Sequence, residues 1–234
     1  MSAQLDSDPT VDFRCDFCQR TFRRESTLLA HLCEPKRRYR ERDETGVRLG
    51  LEAYRRFYEI TQGSAQRRDW QDFSTSSYYR AFVKFGRYCQ DIRAVNSSAL
   101  VDWLIRENVP LDHWCRDTVY ERYLLQHIRR EAMVDALSRA MSTAQDWNER
   151  TGNPASDYLR FGNANAICHD ITRARITAWV IYNCDSGQQF LAQLNQDHVS
   201  MIWPWIDPDQ WQRRFQDFPA DQALAQEVLR QAGW

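Results

Sequence analysis

Four residues near the N-terminus have types and spacing that suit a metal ion. Cys15 and Cys18 are separated by two residues, His31 follows after twelve more, and Cys33 stands two beyond it. Thiolates and imidazole are the donors that a tetrahedral Zn2+ prefers, and two cysteines in a Cys-x2-Cys turn reach one ion together. The fourth donor is the open point. Residues two apart on a regular helix point about 200° apart, so His31 and Cys33 cannot both face one ion from inside a helix. They can if the helix ends near Leu32 and Cys33 swings round. Pro35 favours such an ending, because it restricts the residue before it. Otherwise water or a distant histidine completes the set.

The pattern Phe13-x-Cys15-x2-Cys18-x3-Phe22-x5-Leu28-x2-His31 resembles the zinc finger with two cysteine and two histidine ligands. The resemblance covers about a tenth of the chain. It implies a ββα unit in which Phe22 and Leu28 form a very small core and the metal supplies most of the folding energy. The departure is Cys33 where a second histidine belongs. In the family, base contacts come from the start of the helix, and the matching positions here are Arg24, Ser26, Thr27 and Ala30. Arg24 is expected to read a guanine edge, with Lys36, Arg37, Arg38 and Arg40 on phosphate. One finger reads roughly three base pairs, too few to specify a genomic site. A second binding surface, a dimer or a protein partner is therefore expected.

The charge distribution agrees with a polyanion site at one end. The net charge is −1, yet Arg14 to Arg42 carries nine basic residues (Arg14, Arg20, Arg23, Arg24, Lys36, Arg37, Arg38, Arg40, Arg42) against four acidic ones (Asp16, Glu25, Glu34, Glu41). The remainder is acidic, and such asymmetry points to a polyanionic partner. Paired arginines near aromatics (Arg55, Arg56, Arg67 and Arg68 beside Tyr54, Phe57 and Trp70) extend this basic face onto the first long helix. The dominance of Arg over Lys fits a GC-rich genome. Seven cysteines, no apolar leader and no apolar run near 18 residues give the expectation of a reducing, cytoplasmic setting without a membrane span.

The elements that position these residues read as follows. Residues 1–12 are a polar tail, 13–34 the finger, and 35–46 a basic connector. Residues 47–150 form a helical domain, and 155–234 a C-terminal α+β portion packed on it. The fold class is thus mainly α, opened by a ββα finger. Val47, Leu51, Tyr54 and Tyr58 recur at helical steps, as do Tyr78, Phe82, Phe85, Cys89 and Ile92. Ser74 to Ser77 and Asn96-Ser97-Ser98 offer N-caps. Val119 to Trp147 makes one long helix or two, with Val134, Leu137 and Met141 inward, and Thr151-Gly152-Asn153-Pro154 breaks the chain. Ile176 to Tyr182 is β-branched and aromatic, and reads as a strand. Asp185-Ser186-Gly187 caps a helix, Trp203 to Pro208 makes a rigid turn, and Pro219 to Gln231 forms the last helix.

The body offers weaker chemistry. Cys168-His169-Asp170 looks like a catalytic trio, but neighbours in sequence point apart, so a packed cysteine and a surface histidine are expected. His113-x-Cys115 echoes His31-x-Cys33 without a Cys-x2-Cys pair. Ser186 lacks the Gly-x-Ser-x-Gly frame, and no P-loop, dinucleotide fingerprint or His-Glu-x-x-His is present. The segments HLCEPKRR, DSGQQFLAQLN and WPWIDPDQW resemble parts of zinc-finger proteins encoded by large tailed phages. That likeness implies a bacterial host cytoplasm and phage DNA or RNA metabolism. The expected function is non-catalytic nucleic-acid binding, probed first against DNA, with the body on a protein partner. The alternatives are a protein–protein adaptor and a DNA-acting enzyme with its site between Cys168 and Ser186.

Overall fold

The computed structural model of the protein describes residues 12–63 and 68–234. Arg67 and all of the expected tail except Asp12 lie outside the described residues. The chain forms two compact units, divided between Cys115 and Arg116.

The first unit opens with a minimal hairpin, β1 (Phe13–Arg14) and β2 (Thr21–Phe22), followed by α1 (Glu25–Ala30). Phe13 pairs with Phe22 and Arg14 with Thr21. Five helices follow: α2 (Glu34–Glu41), α3 (Thr45–Gln62), α4 (Trp70–Thr75), α5 (Tyr79–Asp91) and α6 (Ser97–Arg106). The expected connector is thus largely the helix α2. The four-step patterns in α3 and α5 bury Val47, Tyr54, Phe82, Phe85 and Cys89 as read, but Tyr78 is exposed and its neighbour Tyr79 turns inward. Ser74 and Thr75 end α4 rather than cap α5; α4 itself starts from a capping box between Asp69 and Asp72. Asn96 caps α6 as expected, its side chain accepting from the Ala99 N–H at 3.1 Å.

Helices α3 and α5 cross with their backbones almost touching. A Cβ placed on Gly86 would lie 2.0 Å from the Gly46 carbonyl oxygen, and one on Gly50 2.6 Å from that of Phe82. Beside this crossing Trp114 meets Phe57, Phe82 and Phe85 at centroid distances of 6.1, 5.8 and 5.1 Å. Its indole N–H donates to the Val109 carbonyl at 2.9 Å.

The second unit is helical throughout its length: α7 (Asp117–His127), α8 (Met133–Thr151), α9 (Tyr158–Phe161), α10 (Ala164–Thr172), α11 (Ala178–Ile181), α12 (Asp185–Ala192), α13 (Gln196–Ile206), α14 (Pro208–Asp217) and α15 (Pro219–Gln231). The C-terminal α+β expectation is corrected here, because the strand expected over Ile176–Tyr182 is the short helix α11. Ala178, Trp179, Val180 and Ile181 are fully buried, so the run carries no alternation to read. Among the described residues no strand lies in this unit to pair with it. Its amides are satisfied locally, Ile181 N–H on Thr177 and Tyr182 N–H on Ala178. The expected turn at Trp203–Pro208 is also corrected: α13 continues through Pro204 to Ile206. Val134 is exposed, and α8 buries Met133, Ala136, Leu137, Ala140, Ala144 and Trp147 instead. Helix α12 is capped by the Cys184 thiol, which accepts from the Gly187 N–H at 3.4 Å. Gly152 ends α8 in the left-handed region at φ 75°, where a residue without Cβ is unstrained.

Candidate metal centre

The hairpin turn brings the first two donors together. The Cys15 N–H donates to the Arg20 carbonyl at 2.9 Å and the Gln19 N–H to the Cys15 carbonyl at 2.8 Å. Gln19 closes the turn at φ 61°, and its side chain donates to the Asp16 carbonyl at 2.9 Å. This folds Cys18 back over Cys15. The backbone N–H of Cys18, helped by that of Phe17, holds the Cys15 thiol pKa below its ordinary value against the opposing effect of burial. A lowered thiol pKa favours the thiolate that a metal requires.

The third and fourth donors depend on where α1 stops. It ends at Ala30, and His31 is its C-cap with extended angles (φ −69°, ψ 123°). Cys33 is extended too (φ −82°, ψ 163°) and is the N-cap of α2. In extended chain, residues two apart share a face. His31 and Cys33 therefore point the same way, while Leu32 between them points out and is 54% exposed. The role expected of Pro35 changes accordingly. It does not end a helix; it is the second residue of α2, where its missing N–H would have had no helical partner.

The four donor atoms lie within 4.8 Å of one another, and no second group of this kind occurs among the described residues. Cys18 Sγ lies 3.2 Å from His31 Nε2, and Cys15 Sγ lies 3.9 Å from Cys33 Sγ. Tetrahedral bonds of the usual zinc lengths put sulfur and nitrogen about 3.6 Å apart and two sulfurs about 3.8 Å apart. The donor set and its spacing therefore fit one tetrahedral ion. Burial raises the Cys33 thiol pKa, and the neighbouring Cys18 and Cys15 sulfurs add to that. Phe22 packs on the His31 ring at 4.7 Å and orients it.

No family model, curated protein or solved structure matches this chain.

Helix α2 couples the centre to the helices behind it. Phe17, in the cysteine turn, packs on Tyr39 of α2 at 5.2 Å, and Arg42 stacks on Tyr39 at 3.7 Å. Arg38 donates to the Ser74 carbonyl and to Glu34, and lies 4.3 Å over the Tyr79 ring. Glu34 also meets Arg80 at 3.4 Å, and Arg87 of α5 bridges Glu41 and Glu44 at 3.4 and 2.9 Å.

The residues expected to contact nucleic acid fall into two groups. Arg24, Ser26 and Thr27 are exposed at the start of α1. The basic run is largely engaged within the chain. Lys36 donates to the His31 carbonyl at 3.1 Å, Arg37 pairs with Glu34 and Glu41, and Arg38 is only 17% exposed. Arg40 is exposed and makes no hydrogen bond or ion pair within the described residues. The spacing of Glu34 to Arg38 and of Arg37 to Glu41 is the i,i+4 signature of a helix with internal ion pairs, and it was present in the sequence. Arg56 likewise faces Asp102, at 2.6 and 2.8 Å, and Arg55 donates to the Arg68 carbonyl at 2.9 Å.

In the second unit Cys168 is fully buried and His169 is exposed, while Asp170 accepts from the Tyr158 hydroxyl at 2.6 Å and from Arg175 at 3.2 Å. The three side chains do not converge. Ser186 is fully buried against the Cys184 sulfur at 3.3 Å. No helix among the described residues is long and apolar enough to cross a membrane.

Proposed function

We propose that this chain is a non-catalytic nucleic-acid-binding protein whose N-terminal ββα unit is held by Zn2+ and whose helical body contacts a protein partner. The observation that carries the reading is the convergence of Cys15, Cys18, His31 and Cys33 beneath a short helix that starts with exposed Arg24, Ser26 and Thr27. Zn2+ on three thiolates and one imidazole leaves no open coordination position and supplies folding energy rather than reactivity. Arg24 then stands where a guanine edge is read, and the backbone contacts come from neighbouring basic residues. The sequence's resemblance to phage zinc-finger proteins favours a role in phage or bacterial DNA or RNA metabolism, such as replication, recombination or transcription control. The test is a salt titration of duplex and single-stranded DNA binding by the zinc-loaded chain. A steep fall of affinity with salt supports the reading, and absence of binding at low salt refutes it.

One observation favours a second reading. Leu29, within α1, and Leu32, just beyond it, are 70% and 54% exposed, which suits a protein-docking finger. Under this adaptor reading Leu29→Ser with Leu32→Ser abolishes capture of a phage or host protein from nuclease-treated lysate and leaves DNA affinity unchanged.

A further inference from the structure

The arginines of the finger and the basic residues of α2 have different surroundings. Arg14, Arg20, Arg23 and Arg24 are exposed, and none makes a side-chain hydrogen bond or ion pair within the described residues. The acids nearest in sequence, Asp12, Asp16 and Glu25, are exposed and form no ion pair with them. In α2 Lys36, Arg37 and Arg38 are engaged by His31, Glu34, Glu41, Ser74 and Tyr79, and of this run Arg40 alone is exposed without a hydrogen bond or ion pair within the described residues.

The hairpin register sorts the two faces. Phe13 and Phe22 are half-buried opposite one another, whereas Arg14 and Thr21 are exposed opposite one another. Strand alternation carries Arg23 to the Arg14 side, and Arg20 lies in the turn that feeds β2. Free guanidinium forks on a solvated sheet face match the bidentate geometry of phosphate oxygens. They retain the uncompensated charge that displaces counterions from a nucleic-acid backbone.

Resting on the nucleic-acid reading above, we infer that the hairpin carrying Arg14, Arg20 and Arg23 is the phosphate-contacting surface of this chain, and that Lys36, Arg37 and Arg38 of α2 form a strut seating the finger on α4 and α5. The strut holds the hairpin and Arg24 in a set relation to one another. Backbone and base contacts then come from one small unit, the phosphates on the hairpin and the base edge at α1.

The test compares the zinc-loaded full chain with R14Q/R20Q/R23Q and with K36Q/R37Q, using a labelled duplex and a labelled single strand between about 50 and 200 mM salt. Each phosphate contact contributes about 0.9 to the log–log salt slope on duplex and about 0.7 on single strands. A fourfold rise in salt therefore costs roughly 3.5-fold in affinity per duplex contact. The hairpin variant is expected to flatten the duplex slope by about 2.7, and K36Q/R37Q to leave it within about 0.5. An unchanged slope in the hairpin variant, or a loss confined to K36Q/R37Q, overturns the inference and leaves nucleic-acid binding standing. No binding by the parent chain overturns both. Zinc content and melting of the variant report its fold; if it fails to fold, Arg20→Gln and Arg23→Gln singly carry the test, each expected to remove about 0.9 of slope. R14K/R20K/R23K, which keeps charge but not the forks, is expected to retain the slope while losing affinity.

Discussion

Replacing Gly86 with alanine tests the close crossing that supports the finger. A Cβ at Gly86 would sit 2.0 Å from the Gly46 carbonyl oxygen, 2.4 Å from the Gly50 nitrogen and 3.0 Å from its Cα, and real Cβ contacts essentially never fall below 3.0 Å. The obstructing atoms are backbone, so α3 and α5 must separate by about 1 Å for the methyl group to enter. Overpacking of this kind costs about 1–3 kcal/mol, and backbone obstruction on more than one atom puts this site at the upper end. Helix propensity opposes the loss, since alanine gains up to about 1 kcal/mol over glycine in a helix interior. The net is a destabilisation of about 2 kcal/mol, which lowers the melting point of a unit this size by on the order of 10 °C. The distances also set a ranking. Gly50→Ala meets the Phe82 carbonyl at 2.6 Å and should cost less than Gly86→Ala. Gly46→Ala meets first the flexible Arg87 Cγ at 2.5 Å, and should cost least. Thermal melts of the full chain by far-UV circular dichroism measure all three. If Gly86→Ala melts at or above the parent, propensity alone governs the site and the crossing argument is wrong. The outcome bears on the metal centre because Arg87, the next residue, holds Glu41 of α2 and Glu44.

Cys33→Ala should lower zinc affinity by more than about 100-fold, since even outer-shell partners of a metal cost 10- to 100-fold; competition with a chromogenic chelator reads this, and unchanged affinity excludes Cys33 as a ligand. Stripping the metal should unfold β1, β2 and α1 with a small loss of helical signal and unaltered tryptophan emission, because no tryptophan precedes Trp70; a large emission shift would contradict it. Burial outweighs the Arg139 ion pair and lifts Glu131 from 4.5 to about 7. Its folded pKa lies above its unfolded one, so its contribution to stability is full below about pH 4.5 and is lost as pH rises through about 7, by up to about 3 kcal/mol. Glu131→Gln should flatten the decline of melting temperature between pH 5 and 7, and parallel profiles for the two proteins would refute the assignment.

The donor residues were legible because ligand chemistry fixes types and spacing: Cys15, Cys18, His31 and Cys33 converge as their sequence suggests. The early helix end expected near Leu32 is met at Ala30, and what the sequence did not disclose was the extended backbone on both sides of Leu32. Helix periodicity made His31 and Cys33 look incompatible, and only the extended angles of both residues bring them onto one face. Segments with strong terminal signals were also readable, such as Asn96 before α6 and Pro219 to Gln231 as the last helix. Uniform burial hid α11, because a run without a polar face has no period. Pro204 looked like a stop but sits inside α13. The partners of Arg38 lie 36 and 41 residues away, at Ser74 and Tyr79, and no local rule finds them. Lys36, Arg37 and Arg38 read as an open basic run, since density of charge is visible in a sequence and its engagement within the fold is not.

Cys33 belongs to the group of four that could hold a metal and is also the N-cap of α2. Fingers strung in arrays are separable beads, each with a flexible joint behind it. Here the joint is absent, because the last donor is itself the N-cap of the next helix. A fragment ending at Cys33 loses the Tyr39 platform under Phe17, and a fragment beginning at Glu34 loses the cap and the Lys36 anchor on His31. No cut yields an independent ββα unit and an intact remainder. The unit cannot be transplanted or repeated as a cassette, and its surface is held at one fixed attitude to α4 and α5.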